Sequence, residues 1–179
     1  MSLFLAQLLV GLALLVLGGA LAADTPLLRA GLRALPRSSA AAYVLFGGAA
    51  AWFVFLVFNM SDADLIVPAP KSYYAAAFAL LAVLAFFNVT EFLAVRGLAA
   101  LILIASGPLL AAGFGHYGPA LVYKIAVYLA LSAALWLAGQ PWRLRDAIDW
   151  LQRVPGRARR VGSACAAAGL VIVGVAFAA

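Results

Sequence analysis

Six apolar stretches divide the chain, at about residues 2–23, 39–59, 72–90, 97–115, 119–138 and 161–178. Each approaches the ~20 residues that carry a helix across a ~30 Å hydrocarbon core. The pattern predicts an all-α integral membrane protein with one polytopic domain over residues 1–179. Six transmembrane helices form a bundle of three hairpins, joined at one face by short amphipathic interfacial helices in cytoplasmic loops. Small residues recur throughout, as in GLALLVLGGALAA and GSACAAAGLVIVG. Lipid tails do not drive helices together, so helices in a membrane associate where small residues let backbones approach. Gly162 and Ala166, with Gly169 near that face, are expected at such a contact, within the bundle or between two copies.

The polar interruptions carry the rest of the pattern. Residues 72–115 as one helix would run about 65 Å at 1.5 Å per residue, twice a bilayer, so the chain must turn near FFNVTEFLAVRG. Asn88 and Glu91 have the spacing of a capping box. Gly97 suits a left-handed residue after a helix. The expectation is a one- or two-turn helix from Val89 to Arg96 at the interface, with Glu91 and Arg96 at headgroup level. Two further connections look alike. TPLLRAGLRALPRS places Pro26 in a first helical turn behind a Thr25 cap, with Leu28, Leu32 and Leu35 on one stripe and Arg29 and Arg33 on another. QPWRLRDAIDWLQRVPGR repeats the arrangement, with Leu144, Ala147, Ile148 and Leu151 at helical spacing and Asp149 able to pair with Arg145 or Arg153. Both read as amphipathic helices lying in an interface. Gly47-Gly48 and Ser106-Gly107-Pro108 are the expected helix interruptions, and Pro108 removes a backbone bond from the fourth span.

Charge orients these elements. Ten of the twelve Lys and Arg residues fall between spans 1 and 2, 3 and 4, or 5 and 6; Lys71 and Lys124 are the exceptions. Basic loops stay in the cytoplasm. The prediction is a multi-pass protein of a bacterial inner membrane, with both termini outside. Tyr73, Tyr74, Tyr117 and Tyr123 would mark the outer interface, and Trp136 and Trp142 the inner one. Ala20-x-Ala22 has the spacing of a signal-peptidase site. The stretch before it lacks Lys and Arg and is long for a signal peptide, so the first span is expected to be retained.

Composition closes off most alternatives. The chain is 68% hydrophobic and 10% charged, against about 25% charged in a soluble domain. A net charge of +6 would suggest nucleic acid in a soluble protein. Here the arginines flank apolar segments, so the partner is the anionic inner leaflet, not nucleic acid. Arg29, Arg33, Arg37, Arg143, Arg145, Arg157, Arg159 and Arg160 are the candidates for docking to that leaflet or to a partner protein. Cys165 and His116 are the single cysteine and histidine. One chain therefore supplies neither a usual zinc site nor bis-histidine haem ligation, and no cofactor is expected. No Walker A, H-E-x-x-H or G-x-S-x-G motif occurs.

What remains is a short set of candidate contacts. Glu91, Arg96 and Lys124 are ionisable residues beside or within spans, a class often found on ion paths. Trp52 heads an aromatic cluster that could line a cleft, and His116 lies in an outer turn. The expected function is a non-catalytic accessory or scaffold subunit that docks another membrane protein or a second copy of itself. The alternative is a small oligomeric transporter or channel, with a lipid-modifying enzyme a distant third.

Overall fold

The computed structural model describes residues 1–65, 69–89, 91–118 and 120–178. Pro119, expected to open the fifth span, and Thr90 lie outside them. Eight α-helices follow in order: α1 (Leu3–Ala23), α2 (Pro26–Ala34), α3 (Ser39–Phe58), α4 (Lys71–Asn88), α5 (Leu93–Ala112), α6 (Ala120–Gly139), α7 (Trp142–Arg153) and α8 (Arg157–Ala178). Two 3₁₀ turns, Leu35–Arg37 and Asp62–Asp64, complete the regular structure, and no strand occurs among the described residues. Six of the helices, α1, α3, α4, α5, α6 and α8, are long and apolar enough to cross a membrane.

Hydroxyl caps set several starts. The Ser2, Thr25 and Ser38 side chains accept hydrogen bonds from Leu5, Leu28 and Ala41 N–H, each three residues on, satisfying donors the helix cannot. Asp24 ends α1 in the left-handed region at φ 48°, and Pro26 opens α2 two residues later. The α2 stripe is as expected: Leu28, Leu32 and Leu35 are half-buried, while Arg29, Arg33 and Arg37 are exposed.

Helix packing follows the small residues. α1 and α8 run antiparallel, with Gly18 against Gly162 and Ala166, and Gly11 against Gly169 and Val173. A Cβ on Gly18 would stand 2.7 Å from the Gly162 carbonyl oxygen, and one on Gly169 would stand 2.7 Å from that of Gly11. The Gly162–Ala166 pair is therefore an internal seam. α3 packs on α5, where a Cβ on Gly97 would collide with the Phe46 backbone. α3 holds α4 through ring contacts, Tyr43–Phe86 at 4.6 Å and Phe53–Phe78 at 5.0 Å between centroids. α5 packs on α6, where Tyr123 is 1% exposed and its hydroxyl donates to the Leu109 carbonyl at 3.3 Å. Tyr123 thus belongs to the core, where Gly113 leaves room for its ring end.

Three local expectations are corrected. No separate helix spans Val89 to Arg96. α4 runs to Asn88, whose side chain turns back to donate to the Leu84 carbonyl at 2.8 Å and does not cap a new helix. The reversal comes at Phe92, left-handed at φ 55°, and α5 opens at Leu93 with Arg96 in its first turn. Gly97 is buried inside α5 and serves the contact with α3, not a left-handed cap. Finally, α5 and α3 continue through Pro108 and Gly47-Gly48 as single helices. Ser106 accompanies the proline by donating to the Ile102 carbonyl at 2.7 Å.

Candidate functional site

Polar chemistry collects at the two ends of the bundle. At one end α2 and α7 meet, and Gln152 Nε2 donates to the Arg29 carbonyl at 3.2 Å. The contact joins the connection after α1 to the connection after α6. The turn before α5 reaches the same place. A cleft of about 240 Å³ is lined by Arg33, Arg37, Arg145, Asp149, Phe92 and Ile148. Residues of all three basic connections therefore lie together at this end.

Ion pairing leaves this cleft basic. Arg145 pairs with the neighbouring Asp146 at 3.0 Å, so Asp149 is not its partner as the i,i+4 spacing suggested. Arg33 and Arg37 form no ion pair among the described residues. Arg29 is held elsewhere: its guanidinium donates to Asp24 through Nε at 2.7 Å. Asp24 is 6% exposed at its side chain, and the Arg29 hydrogen bond holds its carboxyl below the usual range, with further support from the Arg159 charge. Arg143 stacks 5.6 Å over Trp136, and both side chains donate to Gln140 Oε1. Arg157 lies 4.4 Å over Trp150 and donates to its carbonyl at 2.7 Å. Arg159 and Arg160 are exposed on the first turns of α8. Glu91 and Arg96 are both exposed at this end, with no ion pair among the described residues.

The other end is organised by Lys124. Its ammonium donates to the His116 carbonyl at 2.6 Å and lies 5.8 Å from the Tyr117 ring. The turn from Gly113 to Gly118 is thereby tied to α6. Gly115 and Gly118 take positive φ, 75° and 70°, which an L side chain would resist. Asp62 is engaged by Lys71 at 2.9 Å. Beneath the turn a cavity of about 550 Å³ is lined by Leu3, Phe4, Gln7, His116, Tyr117 and Ala176. Gln7 is 1% exposed, and its Nε2 finds no hydrogen-bond partner among the described residues. Sequence reasoning passed over this residue, although it is the one amide inside the first apolar stretch.

Between the ends lies an apolar cavity of about 610 Å³, bounded by Trp52 of α3, Leu9 of α1, Ile102 and Pro108 of α5 and Ala130 of α6. Trp52 lines this cavity beside Ser106 and otherwise apolar side chains, and Phe53, Phe55 and Phe58 of its aromatic cluster are not among the lining residues. No group of three His, Cys, Asp or Glu side chains that could hold a metal occurs among the described residues. Compared with protein-family models, curated proteins and solved structures, the chain matches none.

Proposed function

We propose that this chain is a non-catalytic accessory or scaffold subunit of a membrane complex, inserted through its six long helices in a bacterial inner membrane. The arginine-bearing end faces the cytoplasm and both termini face outward. In chain order successive spans would turn back at that end, as α1/α3, α4/α5 and α6/α8, although the members of these pairs make little direct contact with each other. The most extensive contacts run between these hairpins, α1 on α8 and α3 on α5, which makes the bundle one interlocked unit.

The observation that supports docking is the cleft between α2 and α7. Arg33, Arg37 and Arg145 line it beside a single acid, Asp149, which leaves basic charge in excess, and Arg33 and Arg37 form no ion pair among the described residues. Like charges gathered in one place call for an outside counter-charge. Lipid phosphates of the inner leaflet contribute about 1 kcal/mol per basic residue. An acidic segment of a partner subunit, seated on Phe92 and Ile148, adds shape to the same attraction.

Gentle extraction followed by native mass spectrometry tests the proposal. The expected result is a stoichiometric partner, lost in the triple variant Arg33→Glu, Arg37→Glu, Arg145→Glu while the chain stays folded. Recovery of a homo-oligomer alone, unaffected by that variant, would overturn it in favour of a small oligomeric transporter.

A further inference from the structure

We infer that the cavity under the Gly113–Gly118 turn binds a neutral amphiphile whose head carries a carbonyl oxygen. The site lies at the opposite end from the docking cleft; it rests on the proposed membrane insertion but not on the docking of a partner.

The inference begins with Gln7. A primary amide offers two donors and an acceptor, and burying one without partners is costly. Gln7 Nε2 is such a group, buried and without a partner among the described residues. The nearby lysine is already committed to the His116 carbonyl, and the Tyr123 hydroxyl donates to Leu109. Yet Gln7 lines a cavity of about 550 Å³, within the ~300–1,000 Å³ of small-molecule sites. An amide donor unpaired at the wall of such a space fits a ligand that brings its own acceptor.

His116 refines the ligand. Its Nδ1 lies 3.1 Å from the Phe114 carbonyl oxygen, which can only accept, so Nδ1 carries the proton. Among the described residues the cavity wall holds the amide of Gln7, the imidazole of His116 and the phenol of Tyr117, and no Asp, Glu, Lys or Arg side chain. A charged head would find no side-chain counter-ion among these residues; a head with a carbonyl, and with a hydroxyl beside it, would meet the amide and the imidazole. Leu3, Phe4 and Ala176 supply apolar walls for the attached chain. Depth agrees with this chemistry. Gln7 is four residues into α1, about 6 Å along the axis, close to the boundary of headgroup and acyl regions.

Two kinds of molecule carry such a head near a membrane surface: glycerol esters and quinones. The full chain in a maltoside detergent, which has no carbonyl, distinguishes them. Dioctanoylglycerol and a benzoquinone bearing a decyl chain serve as probes, with saturation binding measured for each. The expected result is one site per chain for at least one probe. Binding of the ester alone or the quinone alone identifies the source, and binding of both supports the shared carbonyl. Gln7→Leu should weaken that binding at least tenfold and raise the melting temperature of the unliganded protein. His116→Ala, in an exposed turn that leaves the bundle intact, should weaken it at least threefold. If neither probe saturates, or if both variants bind as the wild type does, the inference is overturned.

Discussion

At the scale of single residues, the glycines separate into two populations that composition could not distinguish. Gly162 lies with Gly18 where two backbones touch, and any Cβ there would fall 2.6 Å from the Gly18 carbonyl oxygen. Gly47 has open space on the side where a Cβ would go. Gly162→Val should therefore destabilise the protein by about 2 kcal/mol or more, as overpacking does. Gly47→Ala should be neutral or stabilise by about 0.5–1 kcal/mol through reduced backbone freedom. Thermal unfolding of both variants in detergent checks the contrast. The Gly162–Ala166 spacing was legible in the sequence, but its partner was not, because a small-xxx-small pattern looks the same whether it faces α1 or a second copy. Gly97 was misread for a related reason: a helix boundary and a close helix crossing both demand glycine. Asp24 makes the second prediction at this scale. Its carboxyl is held below the usual carboxylate range by Arg29, so the folded state favours the ionised form. The resulting stabilisation is present above the ordinary carboxylate pKa and is lost as pH falls through the depressed folded value. Asp24→Asn should remove this acid-side pH dependence while leaving the rest of the profile unchanged, as read from melting temperature against pH.

At the scale of elements, the two short amphipathic helices were legible nearly to the residue. Thr25, Pro26 and the Leu28–Leu32–Leu35 stripe specify α2 locally, and Ile148 is the buried residue of α7. Their mutual contact was not legible, since residues 29 and 152 are joined only by tertiary structure. The start of α8 was also missed. Its first turns hold Arg157, Arg159 and Arg160, which read as a basic loop because cations at a helix N-terminus oppose the macrodipole. The structure engages one of these charges with another group, while Arg159 and Arg160 stay exposed. Arg157 stacks on Trp150 and bonds its carbonyl, joining the end of α7 to the beginning of α8. Arg157→Ala should loosen that junction by about 1 kcal/mol, the size of an exposed cation–π contact. Hydrogen exchange should then show faster exchange in residues 150–157, with the centre of α8 unchanged. Equal protection across this junction in the variant would mean that the stack holds nothing.

At the scale of the whole molecule, the distribution of basic residues and the packing bear on the same question independently. The charge pattern put the connections after α1, α4 and α6 on one side. The contact of α2 with α7, and the shared cleft of Phe92 with Arg33 and Arg145, bring those connections to one end. The turn at Asp62–Asp64 belongs to the other end, separated by the length of α3, about 30 Å for twenty residues. This separation matches a hydrocarbon core, so the two ends should stand in different compartments. Single cysteines on a Cys165→Ser background test this directly. Ala63 is exposed beside one end, and Ala30 and Ala147 are exposed at the arginine-bearing end. In intact cells a membrane-impermeant maleimide should label Ala63→Cys and spare Ala30→Cys and Ala147→Cys. All three should react once the membrane is opened. The opposite labelling would invert the topology, moving the arginine cleft outside and the Gln7 cavity inside. Labelling of all three before opening would mean that the six helices do not form a barrier-crossing bundle, and both proposals would lose the membrane setting on which their chemistry depends.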